Sequence, residues 1–226
     1  MKPQLTLLAI TDGRRDCLIR TLQSFEESVD QTTVAHRLIV NDSLDQDYGQ
    51  WIDYTYNFDE HISHRTYDRS KWGFAGAIKM GWQYVPEDIP YVFHLEDDFT
   101  FNRFLDVHAM IAVLEQRPYL RQMALRRQAW NDLEQEAGGI VECHPHEYAD
   151  MTDGPNQWLE HRLFFTTNPS IYPQYPMHVG WPSGSGSEAA FTQLLLQDPA
   201  ARFGYWGSRD LEPWVTHIGQ RSGTGY

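Results

Sequence analysis

An open α/β sheet flanked by helices, in a single domain of 226 residues, is the fold class this sequence predicts. Three observations point to it. Apolar runs and amphipathic segments follow one another as strand, helix, strand, strand, helix, strand over residues 1–101. The ends of three of those strands carry acids, at Asp12, Asp42 and Glu96-Asp97-Asp98, and open α/β sheets gather their ligands at C-terminal strand ends. The chain is 41% apolar, with no internal repeat and no second unit that could close its own core, which suits one sizeable core.

Leu5-Thr6-Leu7-Leu8-Ala9-Ile10-Thr11 is a buried first strand, and Asp12-Gly13-Arg14-Arg15 turns the chain. Asp16 is placed to cap a helix whose apolar positions Leu18, Ile19, Leu22 and Phe25 recur at helical spacing. Arg37-Leu38-Ile39-Val40 forms the second strand, ending in Asn41-Asp42-Ser43; residues 61–67 form a weaker third. A glycine-containing loop over residues 68–76 opens a helix with Ala75, Ile78, Trp82 and Val85 on one face, stopped by Pro86 and Pro90. Residues 91–95, Tyr-Val-Phe-His-Leu, then read as a strand covered on both faces.

Beyond Phe99 the pattern changes. Phe104, Val107, His108, Ile111 and Leu114 mark a helix, and Met123-Ala124-Leu125 a strand. Residues 138–176, rich in Pro, Gly, His and Asn, are expected to be extended loops forming a binding surface. A last helix spans residues 188–197, with Ala190, Phe191, Leu194 and Leu195 on its apolar side, before an aromatic tail from Tyr205.

A net charge of −13 without a basic stripe argues against duplex nucleic acid as a partner, so an anionic ligand needs a local device such as a metal or a few placed Arg residues. Cys17 and Cys143 make no disulfide framework and are expected to be free thiols. With no signal-peptide pattern and no apolar span of membrane length, the sequence reads as that of a soluble cytoplasmic protein.

The chemistry concentrates at Glu96-Asp97-Asp98. Three adjacent carboxylates at a buried strand tip repel one another, and a hard divalent cation, Mn²⁺ or Mg²⁺, relieves that repulsion. Strand alternation would turn Glu96 and Asp98 to one side and Asp97 to the other. An acidic turn that simply solvates itself would leave the same residues.

In this order the first turn, the Asn41-Asp42 strand end, Trp72-Gly73-Phe74-Ala75-Gly76 and the Glu-Asp-Asp cluster resemble the GT-A fold of nucleotide-sugar glycosyltransferases. The acid cluster stands where that family carries its DxD motif, in a variant similar to that of Golgi N-acetylglucosaminyltransferases. The resemblance implies a metal-dependent enzyme that moves a sugar from a nucleotide-diphosphate donor, UDP by default, to a hydroxyl of a protein or glycan acceptor. Residues 1–101 would be the nucleotide-binding half of the domain and residues 102–226 the acceptor-binding half. It implies Asp98 as a metal ligand, with Glu96 and Asp97 assisting at the metal or ribose; Thr11, Asp12 and Arg15 at the base and ribose; Asp42 at the base or sugar edge; and Arg69 and Gly73 near the ribose and diphosphate.

Glu188, opening a helix after Gly184-Ser185-Gly186-Ser187, resembles the general base of inverting members; a first-turn acid favoured by the helix dipole is the plainer reading. His217 and Arg221 resemble a C-terminal pair that completes the metal shell or touches the diphosphate. Trp130, Trp158, Trp181 and Trp206 are aromatic platforms that core packing explains equally well. Trp181 is placed at the acceptor, and Asn131 and Asp132, after Trp130, at the transferred sugar. Cys143-His144-Pro145-His146 lacks a second ligand pair for zinc. A nucleotidyltransferase would need a longer glycine- and basic-rich first loop, and a non-catalytic nucleotide-sugar-binding module would not need the acids, Glu188 and His217 together.

Overall fold

The computed structural model describes residues 4–219. Its centre is a nine-stranded sheet built from β1 (Leu5–Thr11), β2 (Val34–Asn41), β3 (Glu60–Ser63), β4 (Tyr91–Glu96), β6 (Leu120–Ala124), β7 (Ala149–Asp153), β8 (Asn156–His161), β9 (Ser170–Pro173) and β10 (Arg202–Trp206). Their order across the sheet is β3-β2-β1-β4-β9-β6-β10-β8-β7. β1, β2, β3 and β4 are mutually parallel; β9 and β8 run against their neighbours. A separate two-stranded antiparallel ribbon pairs β5 (Phe99–Phe101) with β11 (Val215–His217).

In the first half β1, β2 and β4 and the helices that follow β1 and precede β4 stand where the sequence reading placed them. β1 alternates: Leu5, Leu7 and Ala9 enter one apolar cluster, Leu8 and Ile10 the other, so both faces of the sheet are covered. The first face receives Leu18, Leu22 and Phe25 of α1 (Arg15–Ser28), Ile52 of α2 (Gln46–Thr55) and Met110, Ile111 and Leu114 of α4 (Val107–Gln116). The second receives Ala77, Ile78 and Trp82 of α3 (Gly73–Gln83) and Phe191 and Leu195 of α8 (Ser187–Leu195). α3 lies so close to β1 that a Cβ on Gly81 would stand 2.6 Å from Leu8 Cδ1, which is why glycine occupies that turn.

Four expectations change. Asp16 does not cap α1: the cap position is Arg14, and Asp16 lies in the first turn, beside the positive end of the helix dipole. The third strand shortens to Glu60–Ser63, because the chain turns away at residues 66–67. A helix, α2, intervenes between β2 and β3. Asp45 caps it by accepting from the Asp47 and Tyr48 amides, and its short buried set, Tyr48, Gly49 and Ile52, gave little periodic signal. Residues 138–176 are not simply loops. Besides the short helices α6 (Ile140–Cys143) and α7 (Tyr175–Val179), they supply β7, β8 and β9 to the main sheet. Turns and caps rich in Pro, Gly and His separate these strands and mask their period.

Cys17 and Cys143 are both free. No helix of the described residues is long and apolar enough to cross a membrane.

Candidate active site

Parallel strands end side by side, so the tips of β1, β2 and β4 bring Thr11, Asp42 and the acid cluster to one edge of the sheet. Strand geometry stops at Glu96, and Asp97 and Asp98 form the turn into β5. The expected two-residue alternation therefore ends one residue too early to hold. Asp98 does not share a side with Glu96; Arg14 reaches across to bond both Asp97 and Asp98.

Asp97 is enclosed. Thr11 Oγ1 donates to its Oδ2 at 2.6 Å, the Asp12 amide approaches the same oxygen at 3.3 Å, and the Tyr48 hydroxyl lies 2.6 Å from Thr11 Oγ1. Burial pushes the Asp97 carboxyl up to about 6, against the opposing pull of Arg14 and of the Thr11 hydrogen bond. Asp98 goes the other way. Burial raises it too, but the His217 hydrogen bond and the Arg14 charge outweigh burial and hold it below the usual carboxylate range.

His217 is set by its surroundings. Its main chain pairs with the Gln128 amide group, which accepts from His217 N and donates to His217 O, both at 2.9 Å. The rings of Phe99 and Trp130 meet the imidazole edge-on, at 4.8 and 4.0 Å between centroids. Nε2 then stands 3.3 Å from Asp98 Oδ2. Gly219, two residues on, passes so close that a Cβ there would lie 2.3 Å from Asp98 Oδ2. The Asp98 Oδ1 atom is buried and has no hydrogen-bond partner among the described residues.

Glu96 faces a different space. It lines a cavity of about 460 Å³ with Trp72, Gly73, Phe74, Thr167 and Glu188. A narrow cleft that shares Phe74 and Glu96 with it is lined by Thr11, Asp12 and Asp42. Glu188 stands on the first turn of α8, after Gly184 at φ +90° and Gly186 at φ +71°, conformations that L side chains rarely adopt. Its Oε1 accepts from the Thr167 amide at 2.9 Å. Burial, with the nearby Glu96 charge adding to it, pushes the Glu188 carboxyl up to about 7.

The other expected residues lie as follows. Asp42 is buried and its oxygens accept from His64 Nε2 at 2.8 Å, Trp72 N at 2.7 Å and Gly73 N at 2.9 Å, fastening the start of α3. Arg15 covers the Trp51 ring at 4.5 Å on the α2 side, so the guanidinium at the acids is that of Arg14. Asp12 is bonded by Lys71, and Arg69 is exposed in the loop before α3. Asn131 caps α5 (Asp132–Ala137), where Asp132 is exposed. Trp181 is only 4% exposed: its ring packs on Trp82 and Phe191 in the core, and it lines a cavity of about 480 Å³ with Lys79 and His178 that shares no residue with the one beside Glu96. Arg221 lies outside the described residues. Glu96 is not brought to Asp98 and His217 as a third ligand; among the described residues no three His, Cys, Asp or Glu side chains form a ready metal cage.

Sequence reasoning missed Arg14, Gln128 and Thr167. Two consecutive arginines after Gly13 were a signal for Arg14, but which of them turns inward depends on helix phase.

No protein-family profile and no curated protein matches the sequence. Solved structures do. GalNAc-T7 with UDP, GalNAc and Mn²⁺ superimposes with a TM-score of 0.68 at 10% identity, over 98% of this chain and 45% of that one. TarS 1-349 of S. aureus superimposes with a TM-score of 0.60 at 13% identity, over 95% of this chain and 60% of that one. Its complex with UDP-GlcNAc gives 0.65 at 14% identity, over 99% and 61%. The chain thus spans between about half and three-fifths of the length of these neighbours. With a large, mostly parallel central sheet flanked by helices and this likeness across almost its whole described length, the chain has the GT-A fold of nucleotide-sugar glycosyltransferases.

Proposed function

We propose that this protein is a metal-dependent, inverting glycosyltransferase that moves a sugar from a nucleotide-diphosphate donor, with UDP as the base carrier, to an acceptor hydroxyl on a protein or glycan. One observation carries the reading: a partly buried glutamate with a raised pKa, Glu188, shares a 460 Å³ cavity with Glu96 at the strand tip that also holds the Asp97–Asp98 pair. The structural neighbours solved with UDP and Mn²⁺ or with UDP-GlcNAc support the donor class.

The residues at the tip fit a divalent cation. Asp98 Oδ1 is a buried acceptor without a partner, and the His217 imidazole adds a nitrogen donor beside it. Asp98 and His217 would hold such a cation beside the donor's diphosphate. A bound cation supplies charge neutralisation for the departing diphosphate. Arg14 holds Asp97 and Asp98 together and offsets part of their repulsion. Thr11 and Asp12 line the narrow cleft next to Glu96, at the edge of the proposed donor side.

Glu188 takes the acceptor O–H proton as the acceptor oxygen forms its bond to the anomeric carbon. The bond from that carbon to the diphosphate oxygen breaks, and its electron pair leaves with the nucleoside diphosphate. Attack from the face opposite the leaving group inverts the anomeric centre. Incubation with a panel of nucleotide sugars and Mn²⁺ tests this. Nucleoside diphosphate release with transfer is expected; pyrophosphate release would indicate nucleotidyl transfer, and silence a binding module.

A further inference from the structure

Glu188 lines two cavities. One is the 460 Å³ space shared with Glu96. The other, about 270 Å³, is bounded by Phe164, Thr166, Ala189, Arg127 and Ile140 as well as Glu188. A base that takes a proton from an acceptor must touch both the reacting sugar and the acceptor, so the two cavities divide those tasks. Glu96, which precedes Asp97 and Asp98 in the chain, lines the first space, and that space is assigned to the donor sugar. The second cavity then falls to the acceptor.

Resting on the reading of Glu188 as general base, we infer that the 270 Å³ cavity binds the acceptor, and that the acceptor presents there an uncharged sugar ring. Shape and charge set its class. Phe164 is a half-buried aromatic wall of the type that covers the apolar face of a sugar. Arg127 is the one cation in the described lining, and Glu134 already grips it through both carboxylate oxygens, at 2.6 and 3.1 Å. The remaining charge in the lining is the Glu188 carboxylate, with Glu96 across the adjoining cavity. A phosphate- or carboxylate-bearing ring would meet like charge there without a spare cation in the described lining, whereas a neutral ring loses nothing.

Ala189 is exposed on α8 and faces this cavity, so a larger side chain there fills the space without cutting into the core. Ala190, its exposed neighbour, lines neither cavity and serves as the control. Binding is read by saturation-transfer NMR on the full chain, with UDP and Mn²⁺ and without them. The probes are the methyl β-glycosides of glucose, galactose and N-acetylglucosamine, against glucose 6-phosphate and glucuronate. At least one neutral glycoside is expected to bind the parent and Ala190→Phe alike, and to bind Ala189→Phe at least tenfold more weakly. The anionic rings should bind the parent at least tenfold more weakly than that glycoside. If Ala189→Phe melts several degrees below the parent, Phe164→Leu replaces it and should show the same loss. Undiminished glycoside binding in the altered chain, tighter binding of an anionic ring, or no binding of any neutral glycoside to the parent overturns the inference. Failure of the transferase reading appears separately, as a parent chain that releases nucleoside diphosphate from no nucleotide sugar.

Discussion

Glu188 and Asp98 are the residues on which the chemistry turns, and their environments drive them in opposite directions. Glu188, raised to about 7 mainly by burial, is a base only once it ionises, so transfer should climb as pH rises through about 7. Glu188→Gln should remove that limb and lower transfer by roughly 10²–10⁴-fold while donor affinity stays within about twofold; parental turnover in this variant would rule the residue out as base. The same shift has a stability consequence. Between the ordinary glutamate value and about 7 the folded chain holds a proton that the unfolded chain releases, so stability falls as pH rises across that window. The Gln variant lacks this loss and should melt above the parent at pH 8, by about 1–3 kcal/mol in denaturant titration. Asp98 is held ionised beside His217 and Arg14. Asp98→Ala should leave UDP affinity the same with and without Mn²⁺, whereas calorimetry on the parent should show tighter binding with the cation. An unchanged Mn²⁺ effect in the variant would remove Asp98 from the metal shell.

At the scale of elements, two junctions position the site. The start of α3 hangs on Asp42, which takes the Trp72 and Gly73 amides and His64. Asp42→Ala leaves buried donors unpaired and should cost roughly 2–4 kcal/mol in urea unfolding, a loss an exposed base-reading residue would not produce. The β5–β11 ribbon is the second junction, because it carries His217 and Gly219 over Asp98. Gly219→Ala would drive a methyl into Asp98 Oδ2 and lift the segment. Its Mn²⁺-dependent UDP affinity should drop about tenfold or more with little change in melting temperature. Equal affinity in Gly219→Ala and the parent would show that the ribbon does not govern the cation.

On the scale of the molecule, the sheet does not respect the division into a nucleotide half and an acceptor half. β9, from the second half, lies between β4 of the first and β6 of the second, pairing with both. Cutting the core at residue 101 would leave β4 with an open edge, so we propose that the described chain unfolds as one cooperative unit. Calorimetry should give a single transition whose measured and van't Hoff enthalpies agree; two resolved transitions would separate the halves.

The sequence by itself determined the parallel part of the sheet and the acid-bearing strand tips. Two-residue alternation in β1, helical spacing in α1 and α3, and an apolar run ending in three acids are local patterns that survive any tertiary arrangement. It did not reveal β7, β8 and β9, short strands set among turn residues, or α2, whose buried set is too small to show a period. Nor did it distinguish Arg14 from Arg15 at the acids, core Trp181 from a surface platform, or Asp42 as a fastening from Asp42 as a reader of bases. Those distinctions rest on contacts such as Arg14 with Asp97 and Asp98, or Trp181 with Trp82, between residues far apart in the chain. Which side chain fills a given space is decided by what packs opposite it, and only the folded structure brings those partners together.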